Sequence, residues 1–151
     1  MSNLETAIAW FDSCERGDGW EACKVYCTSD AKFRCQASAF HPPLADEPNL
    51  GGLLENYVEC MKMFVINILP GGYPDDVVSA YDPKTSNAII CATFHGKHTK
   101  NPEEAMLHPP TNKSTVSDYV YRIHFNQDGK IDGMIKVWNN EWSGRELGWL
   151  D

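Results

Sequence analysis

The sequence predicts an α+β fold, and three observations carry that expectation. Apolar residues recur at helical spacing mainly in the first half of the chain, up to Ile68, whereas the second half is built of alternating segments rich in Val, Ile, Tyr and Trp. The two kinds of segment are segregated, which argues a curved antiparallel sheet folded around the longest helix. No internal repeat, low-complexity tract or linker divides the 151 residues, so residues 1–151 read as one domain.

Each element has a local cause. Ser2 and Glu5 have capping-box spacing, after which Leu4, Ile8, Phe11 and Cys14 continue on a helical face until Gly17. Asp18 and Glu21 repeat that spacing and open a short helix carrying Trp20, Cys23 and Cys27. The alternation of Ala31, Phe33, Cys35, Ala37 and Ala39 with polar residues predicts a first strand. After a proline-bearing loop, Leu50, Leu53, Leu54, Tyr57, Val58, Met61, Phe64, Val65 and Ile68 predict the longest helix, stopped by Pro70-Gly71-Gly72. Four strands follow, over residues 77–82, 87–99, 115–125 and 130–139. Residues 118–142 as a whole read as two long strands joined at Asp128-Gly129.

Composition narrows the function. A formal net charge of −8 opposes binding to phosphate backbones or anionic membranes, so neither nucleic acid nor membrane is an expected partner. No apolar run approaches the roughly 20 residues of a membrane span, and the first ten residues lack the pattern of a signal peptide; a cytoplasmic protein is expected. The six cysteines form no C-x-x-C pair, and they read as reduced thiols packed in the core. Two His-Pro-Pro segments, at residues 41–43 and 108–110, sit in long loops without further ligands at metal-binding spacing, so no metal is expected.

The order of helix, short helix, strand, long helix and four strands, with "GDGWEACKVYCTSDAKF" and "RIHFNQDGKIDGMIKVWNNEW", resembles the NTF2-like superfamily, which includes ketosteroid isomerase, scytalone dehydratase and the SnoaL-like polyketide cyclases. The resemblance implies a cone-shaped half-barrel around an apolar pocket, with the outer face of the sheet serving a homodimer. It also implies inward positions for Tyr121, where ketosteroid isomerase has the acidic donor of its oxyanion hole, and for Met134, Lys136 and Trp138. Periodicity by itself would instead place Ile131, Ile135 and Val137 inward; a β-bulge would reconcile the two and leave Ile135 and Val137 outside. "GKHT" resembles the Gly-x-His-Thr pattern of SnoaL-like cyclases and draws attention to His98. The base of ketosteroid isomerase falls here on Cys35, and the terminal aspartate of many SnoaL-like chains on Asn139 and Asn140, so the aspartates of those families are missing.

The expected function is a cofactor-free cyclase, isomerase or dehydratase acting on a small hydrophobic, carbonyl-bearing metabolite. His98 would take a proton, Tyr121 would stabilise the enolate oxygen, and Lys136 would polarise or condense with the carbonyl. Tyr119, Met134, Trp138, Asn139, Phe64 and Cys35 would contact the substrate. The alternative is a non-catalytic ligand-binding or dimerisation module of the same fold.

Overall fold

The computed structural model describes residues 1–36, 52–101 and 109–151. Helix α1 (Asn3–Glu15) opens with the expected box: the Ser2 hydroxyl accepts from the Glu5 amide, and the Ser2 amide donates to the Glu5 carboxylate at 2.7 Å. Its buried side is centred on Ala7, Trp10, Phe11 and Cys14, while Leu4 and Ile8 lie at the margin. Helix α2 (Trp20–Cys23) begins differently from expectation. Gly19, at φ 84°, is its cap and offers no side-chain hydrogen bond. Asp18 instead accepts from the Ser13 hydroxyl and the Arg16 guanidinium. Cys27, expected on this helix, already belongs to strand β1 (Cys27–Gln36).

Strand β2 (Gly52–Leu53) precedes helix α3 (Leu54–Met63), which continues as a π-helical turn over Phe64–Ile68. Leu50, the expected start of this helix, and Ala37 and Ala39 of the expected first strand lie outside the described residues. Strands β3 (Tyr73–Asp82), β4 (Asn87–Lys97), β5 (Ser114–Phe125) and β6 (Ile131–Trp138) follow, and helix α4 (Asn140–Glu146) closes the chain. That last helix replaces the strand expected to run to residue 142. Asn139 ends the strand because its side-chain oxygen caps the helix, accepting from the Trp142 amide at 3.0 Å.

The six strands form one curved, unclosed sheet in the order β2-β1-β6-β5-β4-β3. The run from β3 to β6 is an antiparallel meander, as expected, but β1 lies parallel to β6. The sheet is therefore mixed. A meander pairs only neighbours in sequence, whereas β1 pairs with a strand that lies near the other end of the chain.

Helices α1 and α3 pack on one face of the sheet. Trp10, Phe11, Leu54, Val58, Ile90, Ile123, Ile131 and Met134 form the main core. Full burial of a side chain such as Phe11 contributes roughly 1.5–3 kcal/mol. Ile68, Leu69 and Leu147 make a second, smaller core. All six cysteines are free, and four of them are buried.

Strand β5 alternates strictly, with Tyr119, Tyr121, Ile123 and Phe125 inward and Arg122 and His124 outward. In β6 the register shifts: Phe125 pairs with Ile131 but His124 with Gly133. This extra residue is the expected bulge, and it changes the parity of the strand. Ile131 faces inward, and beyond the bulge so do Met134 and Lys136, which leaves Ile135 and Val137 on the outer face.

Candidate functional site

A hydrogen-bonded chain of four side chains crosses the interior between α1, α3 and the sheet. Lys136 Nζ donates to the Tyr57 hydroxyl at 3.2 Å. The Tyr57 and Tyr121 hydroxyls share a short hydrogen bond, and the Tyr121 hydroxyl donates to Glu15 Oε1 at 2.6 Å. Four elements each supply one member: α1 ends on Glu15, α3 carries Tyr57, β5 carries Tyr121, and β6 carries Lys136 after its bulge. Glu15 is 1% exposed and Lys136 8%.

Apolar surroundings set the protonation preferences. Burial raises the Glu15 carboxyl above its ordinary value, against the opposing pull of Lys136 and Tyr121. Its place at the C-terminal end of α1 acts in the same direction as burial. Burial lowers Lys136, opposed mainly by Glu15. The hydroxyls of Tyr57, Tyr119 and Tyr121 are all pushed upward, chiefly by burial, and remain protonated. Each charged form is thus disfavoured, yet two titratable groups of opposite sign stand at the two ends of a path of phenols.

Aromatic rings enclose the amine. Lys136 Nζ lies 4.3 Å from the Trp138 ring centre, and 5.3 and 5.4 Å from those of Tyr119 and Tyr57. Phe33 stacks on Tyr57 at 4.4 Å, and Trp10 packs against Tyr121 at 6.0 Å. Beside the cluster the buried Trp10 Nε1 makes no hydrogen bond among the described residues. Tyr119 is close enough to Glu15 to favour its anion. The slight exposure that remains, 8% at Lys136 and Tyr57 and 7% at Cys35, lies toward the ends of β1 and β6.

The expected site residues divide into two groups. Tyr119, Tyr121, Lys136, Met134 and Trp138 come together here, and Cys35 sits beside Lys136 on the neighbouring strand with its thiol raised by burial. His98 does not join them. Tyr121 pairs with Ile90, and His98 lies eight residues further along the chain from Ile90, roughly 25 Å away at the rise of a strand.

His98 is fully buried. Its Nδ1 accepts from Trp149 Nε1 at 3.0 Å and from the Thr111 amide at 3.2 Å, tying the end of β4 to the C-terminal segment. Phe64 also belongs elsewhere, because it packs on the core of Ile68, Leu69 and Leu147. Asn139, expected to orient a carbonyl, is the cap of α4. Residues 41–43 and His108 of the His-Pro-Pro segments lie outside the described residues.

Sequence reasoning missed Glu15 and the role of Tyr57. Glu15 extends the stripe of Ala7 and Phe11 by one helical turn, so its burial was legible in the spacing. The aspartates of the resembling families belong to strands, whereas this carboxyl is supplied by the first helix. Tyr57 lies on the inner stripe of the long helix, where spacing signals its packing and not the partners of its hydroxyl.

Two hollows, of about 420 and about 300 Å³, lie on the opposite, outer face of the sheet. The larger runs along Cys91, Thr93, Asp118, Val120 and Val137, the smaller along Lys32, Arg34, Arg122 and His124. Among the described residues no cluster of three or more His, Cys, Asp or Glu is arranged to hold a metal ion, and no helix is long and apolar enough to cross a membrane.

No protein-family model matches the chain, and no curated protein matches it in sequence. Solved structures do match. A candidate hydroxylase from Streptomyces galilaeus superposes with a TM-score of 0.72 at 16% identity, over 99% of this chain and 97% of the other. A candidate polyketide cyclase from Streptomyces antibioticus gives 0.68 at 17%, over 98% and 99%. A pinacolase from Penicillium brevicompactum gives 0.63 at 9%, over 95% and 86%. Helices packed on one face of a curved, unclosed six-stranded sheet, superposing on those structures over nearly the whole of this chain, give it the NTF2-like fold.

Proposed function

We propose that the chain is a cofactor-free acid–base enzyme of the cyclase or isomerase type, acting on a small hydrophobic substrate next to a carbonyl group. The observation that carries this reading is the path Lys136–Tyr57–Tyr121–Glu15 in an apolar interior. Abstraction of a proton beside a carbonyl needs a base and a donor for the developing enolate oxygen. Glu15 or neutral Lys136 supplies the base. A phenol supplies the donor, and the linked hydroxyls return the proton to the other side of the substrate. His98 is replaced in this role because it stands at the far end of β4.

Trp10 Nε1, buried and without a hydrogen-bond partner among the described residues, supports the reading, since such a group costs roughly 1–3 kcal/mol unless it meets a polar guest. Similarly folded proteins, a candidate polyketide cyclase and a pinacolase among them, support it at the level of reaction class. Substrate would approach from the ends of β1 and β6, where the cluster keeps its residual exposure.

The test is deuterium uptake at carbons next to carbonyls, followed by NMR in heavy water for a panel of cyclic and polycyclic ketones. Tyr121→Phe should slow exchange by roughly 100-fold or more, as loss of one oxyanion donor does, and Glu15→Gln by about 10²–10⁴-fold. Exchange at wild-type rates in both variants would sink the mechanism. One observation favours the alternative of a non-catalytic module, namely that the two hollows are on the outer face and neither is lined by Glu15, Tyr57, Tyr121 or Lys136. A ketone that binds without exchange in wild-type protein would decide for it. The outer face is proposed, in addition, as the surface on which two copies of the chain associate.

A further inference from the structure

We propose that Lys136 is a nucleophile that forms a Schiff base with the carbonyl of the substrate, so that the acid–base path serves covalent amine chemistry. The inference rests on the function proposed above and adds a bond to it. Three features carry it.

The first is the company of the amine. Its hydrogen-bond partner is a neutral phenol, and it makes no ion pair with a carboxylate among the described residues. A direct carboxylate partner would hold the ammonium form. Facing it instead are Glu15 and Cys14 from α1, Tyr57 and Cys60 from α3, Cys35 from β1 and Tyr121 from β5. Of these Glu15 opposes neutralisation most, through its charge, while two hydroxyls separate it from the amine along the hydrogen-bonded chain. Burial, the largest influence on Lys136, favours the free amine that can add to a carbonyl.

The second feature is the connected proton path. In the first step the nitrogen lone pair of Lys136 adds to the carbonyl carbon, and the π pair of the C=O bond becomes a lone pair on oxygen. That oxygen gains a proton while the nitrogen loses one, giving a carbinolamine. In the second step the nitrogen lone pair forms C=N as the C–O bond breaks, and the oxygen leaves as water with a second proton. The first step moves a proton from nitrogen to oxygen, and the second takes one from the Glu15 carboxyl through the hydroxyls, leaving a cationic iminium and a carboxylate. The Tyr57 hydroxyl, 3.2 Å from Nζ and linked through Tyr121 to Glu15, is placed to carry them.

The third feature is the cage. Trp138, Tyr119 and Tyr57 surround Nζ, and the cationic iminium would lie against their faces. An iminium withdraws electrons more strongly than the parent carbonyl, so the neighbouring C–H becomes a better acid for Glu15 to deprotonate.

The experiment treats the folded wild-type protein with butanal and sodium cyanoborohydride at neutral pH, then maps modified lysines by mass spectrometry of peptides. The chain has nine lysines, which makes the exposed ones internal controls. Lys136 should be alkylated at least tenfold faster than exposed Lys113 or Lys32, and Tyr57→Phe should slow labelling of Lys136 about tenfold. Labelling of Lys136 no faster than that of the exposed lysines would overturn the proposal, and this comparison needs no variant to fold. Deuterium exchange without preferential labelling would remove the covalent step and leave the acid–base reading standing. Preferential labelling without exchange would keep the nucleophile and remove the turnover proposed above.

Discussion

Glu15 and Lys136 are held in the interior at a cost in stability, and that cost has measurable signs. Burial raises Glu15, so the folded chain holds this proton more tightly than the unfolded one. The stabilisation from the protonated carboxyl is complete below the ordinary value of 4.5 and is lost as pH rises through the raised one. Compared with Glu15→Gln, the wild type should lose stability as pH climbs above 4.5. Lys136 is lowered, so the unfolded chain binds the extra proton between the lowered value and the ordinary 10.5. Compared with Lys136→Met, the wild type should gain stability across that window as pH rises. Replacing a buried pair of opposite charge by neutral groups is often neutral or stabilising by about 1–4 kcal/mol. The double variant Glu15→Gln, Lys136→Met should accordingly resist urea at pH 7 at least as well as wild type while losing proton exchange. A double variant several kcal/mol weaker would mean that the pair serves the fold and not a reaction.

At the scale of elements, legibility followed regularity. The inward face of β5 was readable because Tyr119, Tyr121, Ile123 and Phe125 alternate without a break. The face of β6 was not, because a bulge between Ile131 and Met134 reverses the parity that Ile131, Ile135 and Val137 suggest. The parallel partner of β1 was hidden because it depends on a contact between the two ends of the chain. His98 was misplaced by a short pattern that says nothing of distance along β4. The break after α1 was correctly tied to Gly17, and the structure shows why glycine is needed there. Its φ is 77°, and a Cβ would stand 2.5 Å from a methyl of Val65. A left-handed conformation costs a side-chain-bearing residue about 1–2 kcal/mol, and the contact with Val65 adds to it where α1 meets the end of α3. Gly17→Ala should therefore lower the urea midpoint by more than that strain represents, whereas Gly71→Ala, with a similar φ of 75° and open space around it, should show the strain alone.

At the scale of the whole molecule, the outer face of the sheet carries a pattern that fits a second copy of itself. Val120 and Val137 are paired across β5 and β6 with Cys91 beside them, and Val137 is 49% exposed. On one side of this apolar row, Arg122 and Arg34 flank Ile135, and His124 and Lys32 flank Gly133. On the other side lie Asp118, bonded to Thr93, and Asp76. Basic and acidic ends thus stand on either side of a valine centre, about 13 Å apart along β5 at the rise of a strand. A two-fold axis through that centre, lying in the interface and across the strands, reverses strand direction and sets each basic end on the acidic end of the partner. An axis along the strands would set like charges together. The expected state is a dimer by sedimentation at micromolar concentration, weakened by Val137→Asp and by Arg122→Glu. Because the axis places residue 122 opposite residue 118 of the other copy, adding Asp118→Lys to Arg122→Glu should restore association. A wild-type monomer would sink the interface, and a dimer that the double swap fails to restore would sink this orientation of it.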